Sequence, residues 1–196
     1  MKALFFEKAL LYAFSYQITN LIYMIISPLE NTALLEDLKW LQVRPKITQR
    51  FGADFMQDGK WFYKSQGFKG HPGIDIRAKI GTKVFAPCDG KIKIGDNGNT
   101  GYGKYIKIRS YHGKREIVLA HLSEIQVNDG QLVNNGDLIG LSGDTGNVAP
   151  HLHIGLRFLE GGQGDIFTWN VKDYDNGYKG YVNIPKFITW KDYLIT

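Results

Sequence analysis

Between Thr82 and Leu141 the chain repeats one pattern: a short run rich in β-branched and apolar residues, then a cluster of glycine, asparagine or aspartate. Thr82–Ala86, Lys91–Ile94, Lys104–Arg109, Arg115–His121, Gln131–Val133 and Leu138–Leu141 each read as a strand. Asp96-Asn97-Gly98-Asn99, His112-Gly113-Lys114 and Asn134-Asn135-Gly136-Asp137 read as the turns between them. Strands following one another at this spacing predict an all-β core of antiparallel sheets folded on themselves. A further strand is expected after Pro150, which discourages a helix through Ala149. In it Leu152, Ile154 and Leu156 would face the core, and His151 and His153 would share the other face, roughly 6–7 Å apart at the backbone.

The ends of the chain read differently. Ala9 to Ser27 is mostly apolar, interrupted by Gln17 and Asn20, with Lys2, Glu7 and Lys8 before it. Its length is near the minimum for a membrane span, and no small-residue cleavage site follows. Two readings stand for residues 1–28: a membrane anchor or atypical export signal, or a helix packing on the domain or a partner. Asn31 or Thr32 caps an expected short helix over Ala33–Leu41, and Pro45 ends that segment. This divides the chain into a helical N-terminal segment, 1–44, and a domain, 45–196. Ile47 to Gly52 opens the domain as a strand and turn, and residues 53–70 read as a polar, aromatic loop. From about residue 158 the chain is an aromatic extension, with Asn176-Gly177-Tyr178 and Ile184-Pro185 expected as extended segments.

Composition narrows the partners without choosing one. The 196 residues suit one domain, and the net charge of +5 favours anionic partners. Lys91, Lys93, Lys104 and Lys107 are spread along strands as solvent-side positions, so no nucleic-acid partner is expected; an anionic cell wall suits the charge equally. Cys88 is the only cysteine, which excludes an intramolecular disulfide, and its neighbours Ala86 and Pro87 suggest a small packed residue.

The candidate chemistry lies in the histidines. His71 and Asp75 flank Pro72-Gly73, a turn that would fold them together. With one histidine of the 151–153 pair they make three ligands and leave a fourth position open, as in a catalytic rather than a structural zinc site. His121 ends the apolar run Ile117–Leu119 and is a third element, whereas His112 sits at a hairpin tip and reads as a solvated turn residue. No Gly-x-Ser-x-Gly segment is present, and no cysteine lies beside a candidate base, so covalent catalysis lacks support.

These segments resemble the lysostaphin/LytM-type zinc metallopeptidases, which cleave peptide bonds in bacterial peptidoglycan. His71 and Asp75 match the family's His-x-x-x-Asp motif, Ala120 to Ser123 its Ala-His-Leu-Ser, and Pro150 to His153 its Pro-His-Leu-His. Ile47 to Gly52, Gly81 to Val84, Asp89 to Ile92 and Gly143 to Gly146 match connecting stretches, so the likeness spans about residues 45–160. It implies a lysostaphin-like β-sandwich or half-barrel and a single Zn²⁺ held by His71, Asp75 and His153. His121 and His151 would then be the catalytic pair, with the general base undecided between them. It also implies peptidoglycan peptide stems or cross-bridges as substrate, and action in the cell envelope or outside the cell, including as a phage lysin. Leu119 stands where the family often has tyrosine, and Val148-Ala149 where it often has Thr-Gly; both bear on groove shape. Two other readings compete with the zinc endopeptidase. One is a non-catalytic regulator or wall-binding module on the same fold, which typically lacks the metal ligands. The other is a biotinyl/lipoyl-like carrier, suggested by Ala86–Ile92 with Asn135–Gly140, which needs no histidine cluster.

Overall fold

The computed structural model describes residues 46–184. The expected N-terminal helices, the apolar segment of residues 1–28 and Pro185 lie outside the described residues. Among the described residues the predicted antiparallel, strand-rich core is what forms. β1 (Ile47–Gln49) is followed by a small hairpin, β2 (Met56–Gln57) and β3 (Lys60–Trp61), and by a one-turn helix α1 (Phe62–Ser65). Then come β4 (Ile74–Arg77), β5 (Lys83–Phe85), β6 (Gly90–Asp96), β7 (Lys104–Ser110), β8 (Arg115–Ala120) and β9 (Leu122–Ile125). β10 (Leu132–Val133), β11 (Leu138–Ser142), β12 (His151–Glu160), a 3₁₀ turn (Ile166–Thr168) and β13 (Asn170–Val171) complete it.

The large sheet is antiparallel, in the order β1-β4-β12-β8-β7-β6-β10, with β13 added to the far end of β12. A second sheet, β5-β11-β9, is also antiparallel. The main core holds Ile74 and Ile76 of β4, Ile106 and Ile108 of β7, Ile117 and Leu119 of β8 and Leu152, Ile154 and Leu156 of β12. Val84, Leu122 and Ile139 of the smaller sheet join the same cluster. Because strand side chains alternate, burying Ile74, Ile76, Leu119, Leu152 and Ile154 turns Asp75, Ala120 and His153 to the opposite face. A smaller cluster of Val118, Ala120 and Tyr181, with Phe51, Phe68, Tyr102, Tyr105 and Tyr178 packed on it, covers part of that face.

Several expectations change. Residues 53–70 are not loop throughout, since β2, β3 and α1 fall there. The 115–121 strand stops at Ala120, because His121 adopts φ +64° and turns the chain from one sheet into the other. Asn176-Gly177-Tyr178 is a turn rather than an extended segment. The Asn176 side-chain oxygen accepts from the N–H groups of Tyr178 (2.7 Å) and Gly180 (3.1 Å), and Gly177 takes φ +86°. Lys91 and Lys93 do face outward, paired with Asp165 and Asp129.

The most deeply buried charged group of the large sheet is Glu116. Glu116 is fully enclosed and accepts from Arg109 Nε at 2.6 Å and Arg157 Nε at 2.7 Å. Arg109 Nη1 also donates to the carbonyls of Ile166 and Trp169, fastening the C-terminal extension to β7. Glu116→Ala would leave two enclosed guanidinium groups without their carboxylate, and is expected to cost about 3–5 kcal/mol. Denaturant unfolding of the variant against the parent measures this.

Candidate metal centre

His71 is held by its own backbone. Its N–H donates to Ala53 O at 2.7 Å and its carbonyl accepts from Gly52 N at 2.9 Å. Gly70 lets the two segments meet, since a Cβ there would lie 2.6 Å from the Gly52 carbonyl carbon. This accounts for Phe51-Gly52 in the opening motif: it is the platform on which His71 sits. Asp75 lies on β4 opposite His153 on β12, and His153 in turn faces Ala120 on β8. The register of three strands therefore sets the site.

Three atoms converge there. His71 Nε2 lies 3.2 Å from Asp75 Oδ1, His153 Nδ1 lies 2.9 Å from the same oxygen, and the two nitrogens are 3.0 Å apart. Ligands bound tetrahedrally at about 2.0–2.1 Å stand about 3.3 Å from one another, so the triangle is close to one face of such a tetrahedron. Protons do not satisfy it. Arg50 O, a pure acceptor, takes the His71 Nδ1 hydrogen at 3.3 Å. With that hydrogen on Nδ1, the Nε2 lone pair of the His71 imidazole faces a carboxylate oxygen. A divalent cation satisfies all three donors at once, and each residue is buried. Burial pushes the Asp75 carboxyl up, but the His153 and His71 imidazoles beside it outweigh burial and hold it well below the usual carboxylate range. Burial pulls His153 down, which favours the neutral, ligating imidazole.

Two more histidines stand beside the triangle. His151 Nδ1 donates to Ala149 O at 2.6 Å, and its Nε2 lies 3.6 Å from Asp75 Oδ2. His121 Nδ1 donates to Thr145 O at 2.8 Å, and its N–H to Tyr102 O at 2.9 Å, which stabilises the left-handed backbone at that residue. The two rings are 4.5 Å apart. Each therefore presents a free Nε2 acceptor. The Gly143-Asp144-Thr145-Gly146 stretch earns its place here: a Cβ on Gly146 would lie 3.3 Å from His121 Nδ1.

All five residues singled out from the sequence, His71, Asp75, His121, His151 and His153, come together. His112 does not; it is exposed at the β7–β8 turn, at the opposite end of β8 from Ala120. Sequence reasoning missed the tyrosines. Tyr63 lies 5.2 Å from the His71 ring with its hydroxyl on Gln49, and Tyr102 lies 5.2 Å from the His153 ring. Nothing in the spacing marks Tyr63, and only the flanking glycines Gly101 and Gly103, both at φ +55°, mark Tyr102 as a fixed turn.

Burial pulls His121 down to about 4. With His153 also lowered, the folded metal-free protein binds fewer protons than the unfolded chain once pH falls below about 6.5. Its stability should therefore decline from about pH 6.5 towards 4. Thermal unfolding of chelator-treated protein at pH 7 and pH 4.5 checks this; His121→Asn should show the smaller drop.

A β domain with a convergent His-Asp-His cluster and two further histidines is the architecture of a metallopeptidase. Residues 69–165 match the model of peptidase family M23. Peptidoglycan DD-endopeptidase ShyA of Vibrio cholerae is 42% identical over 88 residues, covering 44% of this chain and 20% of that protein. Lysostaphin of Staphylococcus simulans is 40% identical over 85 residues, covering 43% and 17%. A solved zinc-containing peptidase from Vibrio cholerae superposes with a TM-score of 0.51 at 26% identity, covering 68% of this chain and 36% of that one. The match to ShyA and lysostaphin spans about a fifth of their length.

Proposed function

We propose that the protein is a zinc-dependent endopeptidase that hydrolyses peptide cross-links of bacterial peptidoglycan. The observation that carries this is the triangle of His71 Nε2, Asp75 Oδ1 and His153 Nδ1, with edges of 2.9–3.2 Å, beside two histidines whose Nε2 atoms are free acceptors. His71, Asp75 and His153 would hold one Zn²⁺, which when bound supplies an activated water and polarises the scissile carbonyl. His151 Nε2, free beside the triangle and 3.6 Å from Asp75 Oδ2, takes up the proton of the attacking water and later returns it to the leaving amine. His121, kept neutral by burial, orients that water by accepting a hydrogen bond at Nε2. The positive net charge and the peptidoglycan-cleaving relatives support a wall substrate and a place of action in the cell envelope or outside the cell. Among the described residues no helix is long and apolar enough to cross a membrane.

The test is digestion of purified peptidoglycans of several cross-link types, followed by mass analysis of the soluble fragments. Loss of cross-linked species with new amino termini is the expected result. New reducing sugar ends, or no release from any wall type, would contradict the assignment.

A further inference from the structure

At the end of β8 and β12 away from the metal centre the surface opens into a cleft of about 520 Å³, a volume in the range of ligand sites. Tyr111 and Lys114 of the β7–β8 turn, Phe158 and Leu159 of β12 and Lys172 after β13 line it. Phe158 is five residues past His153, about 17 Å along the strand. The chemistry proposed above makes no use of this cleft.

Its walls are held in place and its charge is of one sign. The Tyr111 hydroxyl accepts from Ile166 N at 3.3 Å and the ring stands edge-on to Trp169 at 5.5 Å, yet 49% of the residue stays exposed. Leu159 N donates to Lys114 O at 2.6 Å and Lys172 N to Phe158 O at 2.9 Å, so backbone hydrogen bonds join the turn, β12 and the extension around the opening. Lys114 Nζ donates to Gly161 O at 3.2 Å and keeps two hydrogens for a ligand. Lys91 and Lys93 are held by Asp165 and Asp129, whereas among the described residues neither Lys114 nor Lys172 pairs with a carboxylate. No carboxylate lines the cleft. Exposed aromatic surface rimmed by polar groups marks a binding groove, and a cleft with one sign of charge gathers ions of the other.

We infer that the cleft is a second wall-binding site for a carboxylate-bearing stretch of peptidoglycan, with sugar rings laid on Tyr111 and Phe158 and the free carboxylates of peptide stems met by Lys114 and Lys172. The faces of a sugar ring carry C–H groups that pack on aromatic rings, while a carboxylate needs cationic donors; the cleft offers both. The occupant follows from the charge and from the endopeptidase reading, on which this inference rests. The polymer being cut presents many copies of one unit, and its uncross-linked stems end in carboxylates. Two sites about 17 Å apart on the same strands engage that polymer together, so the second raises the local concentration of cross-links at the first without touching the reacting atoms.

The experiment uses the full, zinc-loaded chain in the His151→Ala background, expected to bind without cutting, and reads sedimentation with insoluble peptidoglycan freed of phosphate-bearing polymers. Lys114→Gln with Lys172→Gln should weaken wall binding by about five- to tenfold, the loss of two exposed ion pairs, and the difference should shrink in high salt. Lys46→Gln with Lys79→Gln removes the same charge from exposed positions outside the cleft and should bind as the background protein does. With His151 restored, Lys114→Gln with Lys172→Gln should cut a soluble cross-linked fragment, too small to reach the cleft, at the parental rate. Equal losses in the two lysine pairs would overturn the proposal, because they would mark an effect of net charge. Undiminished binding without Lys114 and Lys172, a matching loss on the soluble fragment, or binding only to walls that keep their phosphate-bearing polymers would overturn it as well. A parent with His151 intact that cuts neither wall nor fragment would overturn the endopeptidase reading instead, a result distinct from a cutting parent whose cleft variants bind normally.

Discussion

His153→Ala is expected to leave the protein without stoichiometric zinc. The substitution deletes one corner of the triangle, and the two donors left, His71 Nε2 and Asp75 Oδ1 at 3.2 Å, span only one edge of a tetrahedral site. The fold should survive, because His153 lies on the site face of β12 while Leu152 and Ile154 on the other face stay in the core. Metal content by elemental analysis, with circular dichroism as the check on folding, reads both expectations. Zinc retained at parental stoichiometry in a folded His153→Ala protein would remove His153 from the ligand set.

His151→Ala is expected to keep the zinc and lose the chemistry. Its Nε2 stands 3.6 Å from Asp75 Oδ2, outside the triangle, and its Nδ1 is committed to Ala149 O. Removing a group that moves protons slows hydrolysis by about 10²–10⁴-fold. His121→Ala should behave alike, since its Nε2 is also free and its ring is 4.5 Å from His151. His112→Ala, at an exposed turn, should match the parent. The readout is release of amino termini from peptidoglycan alongside zinc content. Loss of zinc from His151→Ala with retention in His153→Ala would invert the two roles.

Much of this was legible because strand alternation is a local rule. The period of two puts His151 and His153 on one face and Leu152, Ile154 and Leu156 on the other, and the structure buries those three aliphatics. Pro72-Gly73 foretold that His71 and Asp75 would meet. What stayed hidden was pairing between distant segments: the register that sets His153 against Asp75 and Ala120 depends on contacts across 78 and 33 residues of chain. β4 went unread because Ile74–Arg77 is four residues long and starts directly after a turn. The positive φ of His121 left no mark in the sequence, since Tyr102 O and Thr145 O, which stabilise it, come from other turns. The extension reads from the sequence only as an aromatic stretch with extended segments, because its tyrosines follow no period, although Tyr181 packs against Val118 and Ala120 of β8 and bridges to Arg157 of β12.

The central claim is that one zinc ion, held by His71, Asp75 and His153, drives peptide-bond hydrolysis in the wall. Amino-group release from peptidoglycan, followed while zinc is titrated into chelator-stripped protein, tests it most directly. The account predicts no release from the stripped protein and recovery that saturates at one equivalent of zinc per chain. Release by the stripped protein at the rate of the untreated one would contradict it.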